Sequence, residues 1–292
     1  MKLIVEMTQI QQWPRAIAAC GLTLLLASVS SADEWRLRLV DNKGIDDPNN
    51  IGIARMASFG EFLYLTTWNT ESGGKLYRSN DGESWERISE PGMNGNAKNF
   101  CLTSLAWLKD QLYVGVWNQT EGGSMFRGRA DSAKAGDINW EMITSGGFGN
   151  RWNWGFTHIR EFKGNLYAGC FNLTQGSEVW RSGSGDPGSW TMVIPKGWGS
   201  PANSDTTMMI DDGKHLYVGT ESARKIDEVG MQLWRTDGDL APPYDQWELV
   251  NTEGFGNPRN HNICGLAILK GKIYAGTWNR SQGLEVWRAT IA

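Results

Sequence analysis

Apolar and polar residues alternate in short runs along most of this chain, and turn residues interrupt the runs every few positions. One run is Thr157-His158-Ile159-Arg160-Glu161-Phe162. The next is Leu166-Tyr167-Ala168-Gly169-Cys170-Phe171, with Lys163-Gly164-Asn165 between them. Alternation of period two, bounded by Gly, Asn and Lys, predicts half-buried strands joined by tight turns. Two further runs, Glu178-Val179-Trp180-Arg181 and Trp190-Thr191-Met192-Val193-Ile194, complete a group of four.

The group recurs. A hydrophobic-Tyr pair followed by an aromatic-Arg pair appears as Leu63-Tyr64 with Tyr77-Arg78 and as Leu112-Tyr113 with Phe126-Arg127. It returns as Leu166-Tyr167 with Trp180-Arg181, Leu216-Tyr217 with Trp234-Arg235, and Ile273-Tyr274 with Trp287-Arg288. The tyrosines lie 49, 54, 50 and 57 residues apart. Four strands repeating at such a period predict an all-β, five-bladed β-propeller with four-stranded blades. The fifth repeat stops after its third strand. Residues 35–40, Trp-Arg-Leu-Arg-Leu-Val, match Trp247-Glu248-Leu249-Val250, so the N-terminal strand is expected to complete the C-terminal blade and close the ring. Trp35, Trp85, Trp140, Trp190 and Trp247 occur once per blade and read as packing between blades. The five arginines after the aromatics fall on the opposite strand face, where their guanidinium groups would brace carboxylates or turn carbonyls.

Two loop motifs repeat as well. The connection from the fourth strand of one blade to the first of the next reads Gly147-Phe148-Gly149-Asn150-Arg151-Trp152-Asn153 and Gly254-Phe255-Gly256-Asn257-Pro258-Arg259-Asn260, with looser copies elsewhere. Its last asparagine stands fourteen residues before the tyrosine each time, giving the ring Asn50, Asn99, Asn153, Asn203 and Asn260. The turn after the second strand reads Trp68-Asn69, Trp117-Asn118, Phe171-Asn172 and Trp278-Asn279, and is replaced in the fourth repeat by Glu221-Ser222 and an insertion. In an up-and-down blade both motifs lie at one end. Asparagine caps turns and tolerates left-handed backbone, which is an architectural reading of the ring. Aromatic faces beside amide donors and acceptors also suit sugars, so these thirteen residues form a candidate site for a glycan or another small polar ligand. The sequons at Asn118, Asn172 and Asn279 follow from the repeat itself.

Residues that break the pattern suggest an alternative, a hydrolase or lyase using a pore site of His158, Arg160, Asp205 and His261. A scaffold for another protein on the same loop face is a third reading. No metal spacing, phosphate loop or nucleophile elbow occurs, so no cofactor is expected.

The start of the chain adds a destination. Lys2 and Arg15 precede an apolar run over residues 16–29, followed by Ser30 and Ala32. This pattern predicts a signal peptide over residues 1–32, a propeller over 33–292, and a secreted or periplasmic protein. The run is too short to span a bilayer. Three of the four cysteines, Cys101, Cys170 and Cys264, remain after it, which allows at most one bridge with a thiol left over; Cys101 and Cys264, in matching strands, are expected as buried free thiols rather than a disulfide. A net charge of −4 without a basic stripe argues against nucleic acid.

Ser79-Asn80-Asp81-Gly82-Glu83-Ser84-Trp85 resembles the Asp-box of sialidase-type propellers, one residue short. That resemblance implies a folding turn between the third and fourth strands of a blade, not a catalytic element. Repeats such as Gly-Leu-Glu-Val-Trp-Arg at 283–288 resemble the secreted bacterial Trp-rich repeat β-propeller proteins, over nearly all of residues 33–292. The five-blade count is shared with tachylectin-like lectins, whose sequence motifs are absent here.

Overall fold

The structure, a computed structural model, describes residues 38–290 except 132–133, 226–227, 239–245 and 252. Residues 40–292 form one compact unit. Nearly all of its regular structure is antiparallel strand, laid out as successive meanders. The first unit is β1 (Gly52–Phe59), β2 (Phe62–Trp68), β3 (Leu76–Ser79) and β4 (Glu86–Arg87). The second is β5 (Cys101–Leu108), β6 (Gln111–Trp117), β7 (Ser124–Gly128) and β8 (Glu141–Thr144). The third is β9 (Gly155–Phe162), β10 (Asn165–Phe171), β11 (Val179–Ser182) and β12 (Thr191–Met192). The fourth is β13 (Asp205–Asp211), β14 (Leu216–Glu221), β15 (Leu233–Thr236) and β16 (Glu248–Leu249), and the last is β17 (Asn262–Leu269), β18 (Lys272–Trp278) and β19 (Val286–Thr290).

The first four meanders bury their tyrosines, and Tyr274 of the last is half-buried. Tyr64, Tyr113, Tyr167 and Tyr217 are almost wholly inaccessible to water. The core is divided into four clusters, and each joins two consecutive units. Tyr64, Leu76 and Ile88 pack with Leu102, Val114 and Phe126. Equivalent clusters link the second unit to the third, the third to the fourth and the fourth to the last. Trp190 is buried in one of them, while Trp140 and Trp247 donate their indole N–H to Ile88 O (2.7 Å) and Val193 O (3.0 Å) of the preceding unit. Trp35 lies outside the described residues.

The arginines of the repeat also tie units together. Arg127 Nε bonds Glu141 at 2.8 Å in its own unit, and its Nη1 reaches Asp186 of the next at 2.7 Å. Arg78 bonds Glu86 at 3.0 Å and donates to Ala130 O of the following unit. The Asp-box-like turn is held by Asp81, whose Oδ1 accepts the Ser79 hydroxyl and the N–H groups of Glu83 and Ser84.

The first strands β1, β5, β9, β13 and β17 are the innermost, and all five line one central opening. In all five units the register against the second strand slips at the same place, around Ala54, Thr103, Thr157, Thr207 and Cys264. The bulged threonines turn this irregularity into a seam. Thr103 and Thr207 donate their hydroxyls to Phe156 O (2.8 Å) and Ile263 O (2.9 Å) of the next unit, and the single hydroxyl proton of Thr157 is shared between Thr206 O (3.0 Å) and Asp205 Oδ1 (2.6 Å) there. Ala54 and Cys264 cannot make this bond. They stand in the first and last units, and among the described residues no backbone bond joins those two. Ile51, Ile53 and Met56 on one side, and Val286 and Trp287 on the other, remain exposed. Meanders joined side by side around a common opening are the arrangement of a β-propeller.

Candidate functional site

The connecting loops take their shape from a costly backbone. In all five copies a Gly and the residue after it have positive φ, as in Gly147 (63°) with Phe148 (58°) and Gly254 (58°) with Phe255 (57°). A Cβ on Gly147 would meet Asn150 O at 2.4 Å, so the position requires glycine. The left-handed second residue is large and apolar, which carries a cost of about 1 kcal/mol or more. Its side chain plugs the gap between units: Phe148 stacks on Trp180 with ring centres 4.5 Å apart, Trp198 on Trp234 at 5.4 Å, and Phe255 on Trp287 at 4.9 Å.

The asparagine ring is the brace of these loops. Asn50, Asn99, Asn153, Asn203 and Asn260 each donate Nδ2 to the carbonyl of the motif's first glycine, at 2.8 to 2.9 Å. Their Oδ1 atoms accept from Asn69 (2.9 Å), Asn118 (2.8 Å), Asn172 (2.8 Å) and Asn279 (3.1 Å), and from Thr220 in the fourth unit (3.2 Å). The turn asparagines in turn accept backbone N–H groups two and three residues on, as Asn118 does from Thr120 and Glu121. Eight of the nine amides are buried and Asn50 is half-buried. Asn50, Asn69, Asn99, Asn118, Asn153, Asn172, Asn203, Asn260 and Asn279 are therefore bonded within the chain. Each amide closes a loop that would otherwise leave carbonyls and N–H groups unpaired.

The aromatics of the second motif do reach the surface. Trp68 and Trp278 are 46% and 47% exposed. Trp117 and Phe171 are half-buried and pack together at 5.0 Å, with Phe171 also stacked on Trp154 at 5.5 Å. Glu221 holds the corresponding place in the fourth unit, so an acid interrupts an aromatic rim. Opposite it in the β13–β14 ladder stands Asp205. The equivalent pairs are Gly52 with Trp68, Cys101 with Trp117, Gly155 with Phe171, and Asn262 with Trp278.

Asp205, Glu221, Asn262, Arg55, Trp68 and Trp278 line the mouth of the central opening, a cavity of about 450 Å³. Asp205 is only 7% exposed; its Oδ1 accepts Thr157 Oγ1 at 2.6 Å and Thr206 N at 2.7 Å. Among the described residues its Oδ2 accepts no hydrogen bond. Burial, and next the charge of Glu221, push the Asp205 carboxyl up to about 7. Burial raises Glu221 too, while Asn262 and Arg280 favour its ionised form. Asn262 is itself 7% exposed, and its Oδ1 has no partner among the described residues. Arg55 donates Nη2 to Thr157 O at 3.3 Å. Among the described residues no group of three or more His, Cys, Asp or Glu side chains gathers as a metal site.

The alternative set of His158, Arg160, Asp205 and His261 does not converge. Only Asp205 lines the mouth. His158 borders a smaller hollow deeper along the strands, with burial holding its imidazole down to about 4. Arg160, two residues further, is paired with Asp211 at 2.6 Å. His261 is fully buried, with its ring 5.8 Å from that of Trp278. Glu221 is the acid that reasoning from the pattern breaks passed over. The constant sixteen-residue step from the inner strand's first position to the rim would have paired it with Asp205.

No family model matches the sequence, and no curated protein sequence matches it. Solved structures share the fold. A prolyl endopeptidase structure superposes with a TM-score of 0.53 at 11% identity, over 82% of this chain and 34% of that one. A Bacteroides ovatus structure described as xyloglucan PUL GH43B gives 0.45 at 16% identity, over 80% of this chain and 51% of the other. The WD40 β-propeller domain of Doa1 gives 0.44 at 12% identity, over 77% and 62%. The chain thus spans about half or less of the first two, and at these identities the likeness is one of fold alone. No helix among the described residues is long and apolar enough to cross a membrane.

Proposed function

We propose that this protein is a secreted or periplasmic β-propeller that binds a glycan or another small polar ligand at the mouth of its central opening. One observation carries the reading: two half-exposed tryptophans, Trp68 and Trp278, flank a recess holding Asp205, Glu221 and an unpartnered Asn262 Oδ1. Flat aromatic faces take the C–H faces of a sugar ring, and buried acceptors select its hydroxyl groups. Trp117 and Phe171 extend the rim, and the nine asparagines hold the loops that present it. Five blades in a closed ring, with residues 35–40 completing the last blade and residues 1–32 removed on export, belong to the same proposal. The open edge of β19 and the exposed Ile51, Ile53 and Met56 support the closure.

The test is calorimetric titration of the purified protein with a panel of neutral and charged oligosaccharides, repeated on Trp68→Ala with Trp278→Ala. Binding to one sugar class that disappears in the folded double variant supports the reading; a folded protein that binds none of the panel removes it. A second reading, a hydrolase, is favoured by the proton-retaining Asp205 beside Glu221, since such a pair suits acid and base roles. Release of reducing ends from the same panel, abolished by Asp205→Asn, separates it from binding alone.

A further inference from the structure

Among the described residues, three side chains at the mouth keep acceptors free. Asp205 Oδ2 and the partnerless Asn262 Oδ1 both offer lone pairs, and the Glu221 carboxylate stands with them. Two acids therefore face each other across one strand pair with a third acceptor beside them. One cation shares the recess: Arg55 spends one of its five donors on Thr157 O, at 3.3 Å, and is not ion-paired to either acid among the described residues. A hydroxyl group brings one donor to such a site, whereas an ammonium brings three and a positive charge.

The walls point the same way. Trp68 and Trp278 cannot ligate a hard divalent ion, which takes six to eight oxygens, but tryptophan faces attract organic cations. Trp278 already holds one. The Arg280 guanidinium lies 5.4 Å from its ring centre. The site thus contains an internal instance of the contact a cationic ligand would make.

Resting on the carbohydrate reading above, we infer that the mouth selects the amino-bearing members of that class: a protonated amine held between Asp205, Glu221 and Asn262 and flanked by Trp68 and Trp278. A free amino sugar presents this chemistry, and its N-acetylated form does not.

The test uses a glucosamine oligomer, the N-acetylglucosamine oligomer of equal length, and a glucose oligomer, titrated into the purified protein at one ionic strength. The glucosamine oligomer is expected to bind at least tenfold more tightly than either of the others. Asp205→Asn and Glu221→Gln should each remove that preference while leaving the melting transition cooperative. Glu83→Gln, a charge removed at an exposed turn, should keep it, which separates recognition from general attraction of a polycation. Equal binding of all three oligomers, with both acid variants unaffected, overturns the inference and leaves the carbohydrate reading standing. Binding of none overturns both. Stabilisation by calcium chloride alone, lost in the acid variants, would assign the pair to a metal and overturn it as well.

Discussion

Asp205 and Glu221 stand directly opposite each other in the β13–β14 ladder, at the two positions where the other units place a small or polar residue against an aromatic ring. Among the described residues, neither carboxyl has a lysine or arginine bonded to it in exchange. Folding therefore disfavours the charged form of Asp205, holding its carboxyl up at about 7, and raises Glu221 in the same direction. A carboxyl whose pKa is higher folded than unfolded stabilises the fold fully below the unfolded value of about 3.9, and the contribution is lost as pH rises through the folded value. Denaturant unfolding of the protein compared with Asp205→Asn should accordingly show this contribution falling between about pH 4 and 7. The loss should reach up to a few kcal/mol, because each tenfold change in a proton's affinity is about 1.4 kcal/mol. Asp205→Asn should flatten that slope and be the more stable protein at pH 8. An unchanged slope in the variant would mean that the pair does not carry the burden assigned to it.

His158 works in the opposite sense. Its imidazole is held down to about 4 by burial, and Arg55 adds to the effect. A histidine that must enter the fold neutral costs stability as pH falls from about 6.5 toward that value. His158→Gln should remove this acid-side loss, measured as the difference in unfolding midpoint between pH 6.5 and 4.5. A variant as acid-sensitive as the parent would place the loss elsewhere.

The buried asparagines separate architecture from binding. Asn153 Nδ2 serves both Gly147 O and Glu178 Oε2, and its Oδ1 receives Asn172. Asn153→Ala strips partners from three buried groups at once. Each orphaned buried group costs about 1–3 kcal/mol, so a loss of about 3 kcal/mol or more in unfolding free energy is expected. Asn50→Ala, at a half-buried copy, should cost less. Equal and negligible losses would return the ring to the ligand-contacting role that its sequence allows.

Much of the fold is legible in the string of residues. The five tyrosines and the Trp or aromatic-Arg pairs specify strands, repeat and core, because burial of one strand face has to recur with the unit that makes it. The asparagine ring is equally visible, at fourteen residues before each tyrosine. Its chemistry is not, since an amide that could face solvent or fold inward looks the same in a string of letters. Its partner sits nineteen residues on in four units, a spacing that the hydrogen bonds make meaningful. Grouping His158 and Arg160 with Asp205 fails for a reason of length. Each residue advances a strand by about 3.3 Å, so three to five positions move a side chain from the mouth to the far end. Cys264 also departs from expectation. It fills the bulge position next to the open edge and is exposed, while Cys101 is buried as expected and Cys170 is buried too.

That cysteine gives direct access to the mouth, which it lines. Burial lifts the Cys101 thiol to about 12 and that of Cys170 well above its ordinary value, so neither supplies thiolate near neutral pH. Cys264 is raised as well but remains open to solvent. Iodoacetamide at pH 8.5 should therefore modify Cys264 in the native protein and reach the other two only in denaturant, as read by peptide mass mapping. Modification should also be slowed by any oligosaccharide bound at the mouth. A label on Cys264 that forms at the same rate with saturating ligand would place the ligand elsewhere.

The two tryptophans of the mouth should differ in what they lose. Trp68 packs on Phe100 at 5.9 Å and Trp278 on His261 at 5.8 Å, so each is anchored on one side and open on the other. Replacing either with alanine removes a stacking surface worth about 0.5–1.5 kcal/mol, or roughly two- to thirteenfold in affinity. Arg280 already occupies part of the Trp278 surface. Arg280→Ala removes that competitor and a positive charge beside Glu221, so binding of a cationic oligomer should tighten while a neutral one gains little. Trp68→Ala should weaken both ligands, the cationic one more, and Trp278→Ala should cancel the gain from Arg280→Ala in the double variant. The four dissociation constants of that cycle, measured by titration calorimetry, decide the point. Additive effects of the two substitutions would show that Arg280 and the ligand do not compete for the same ring.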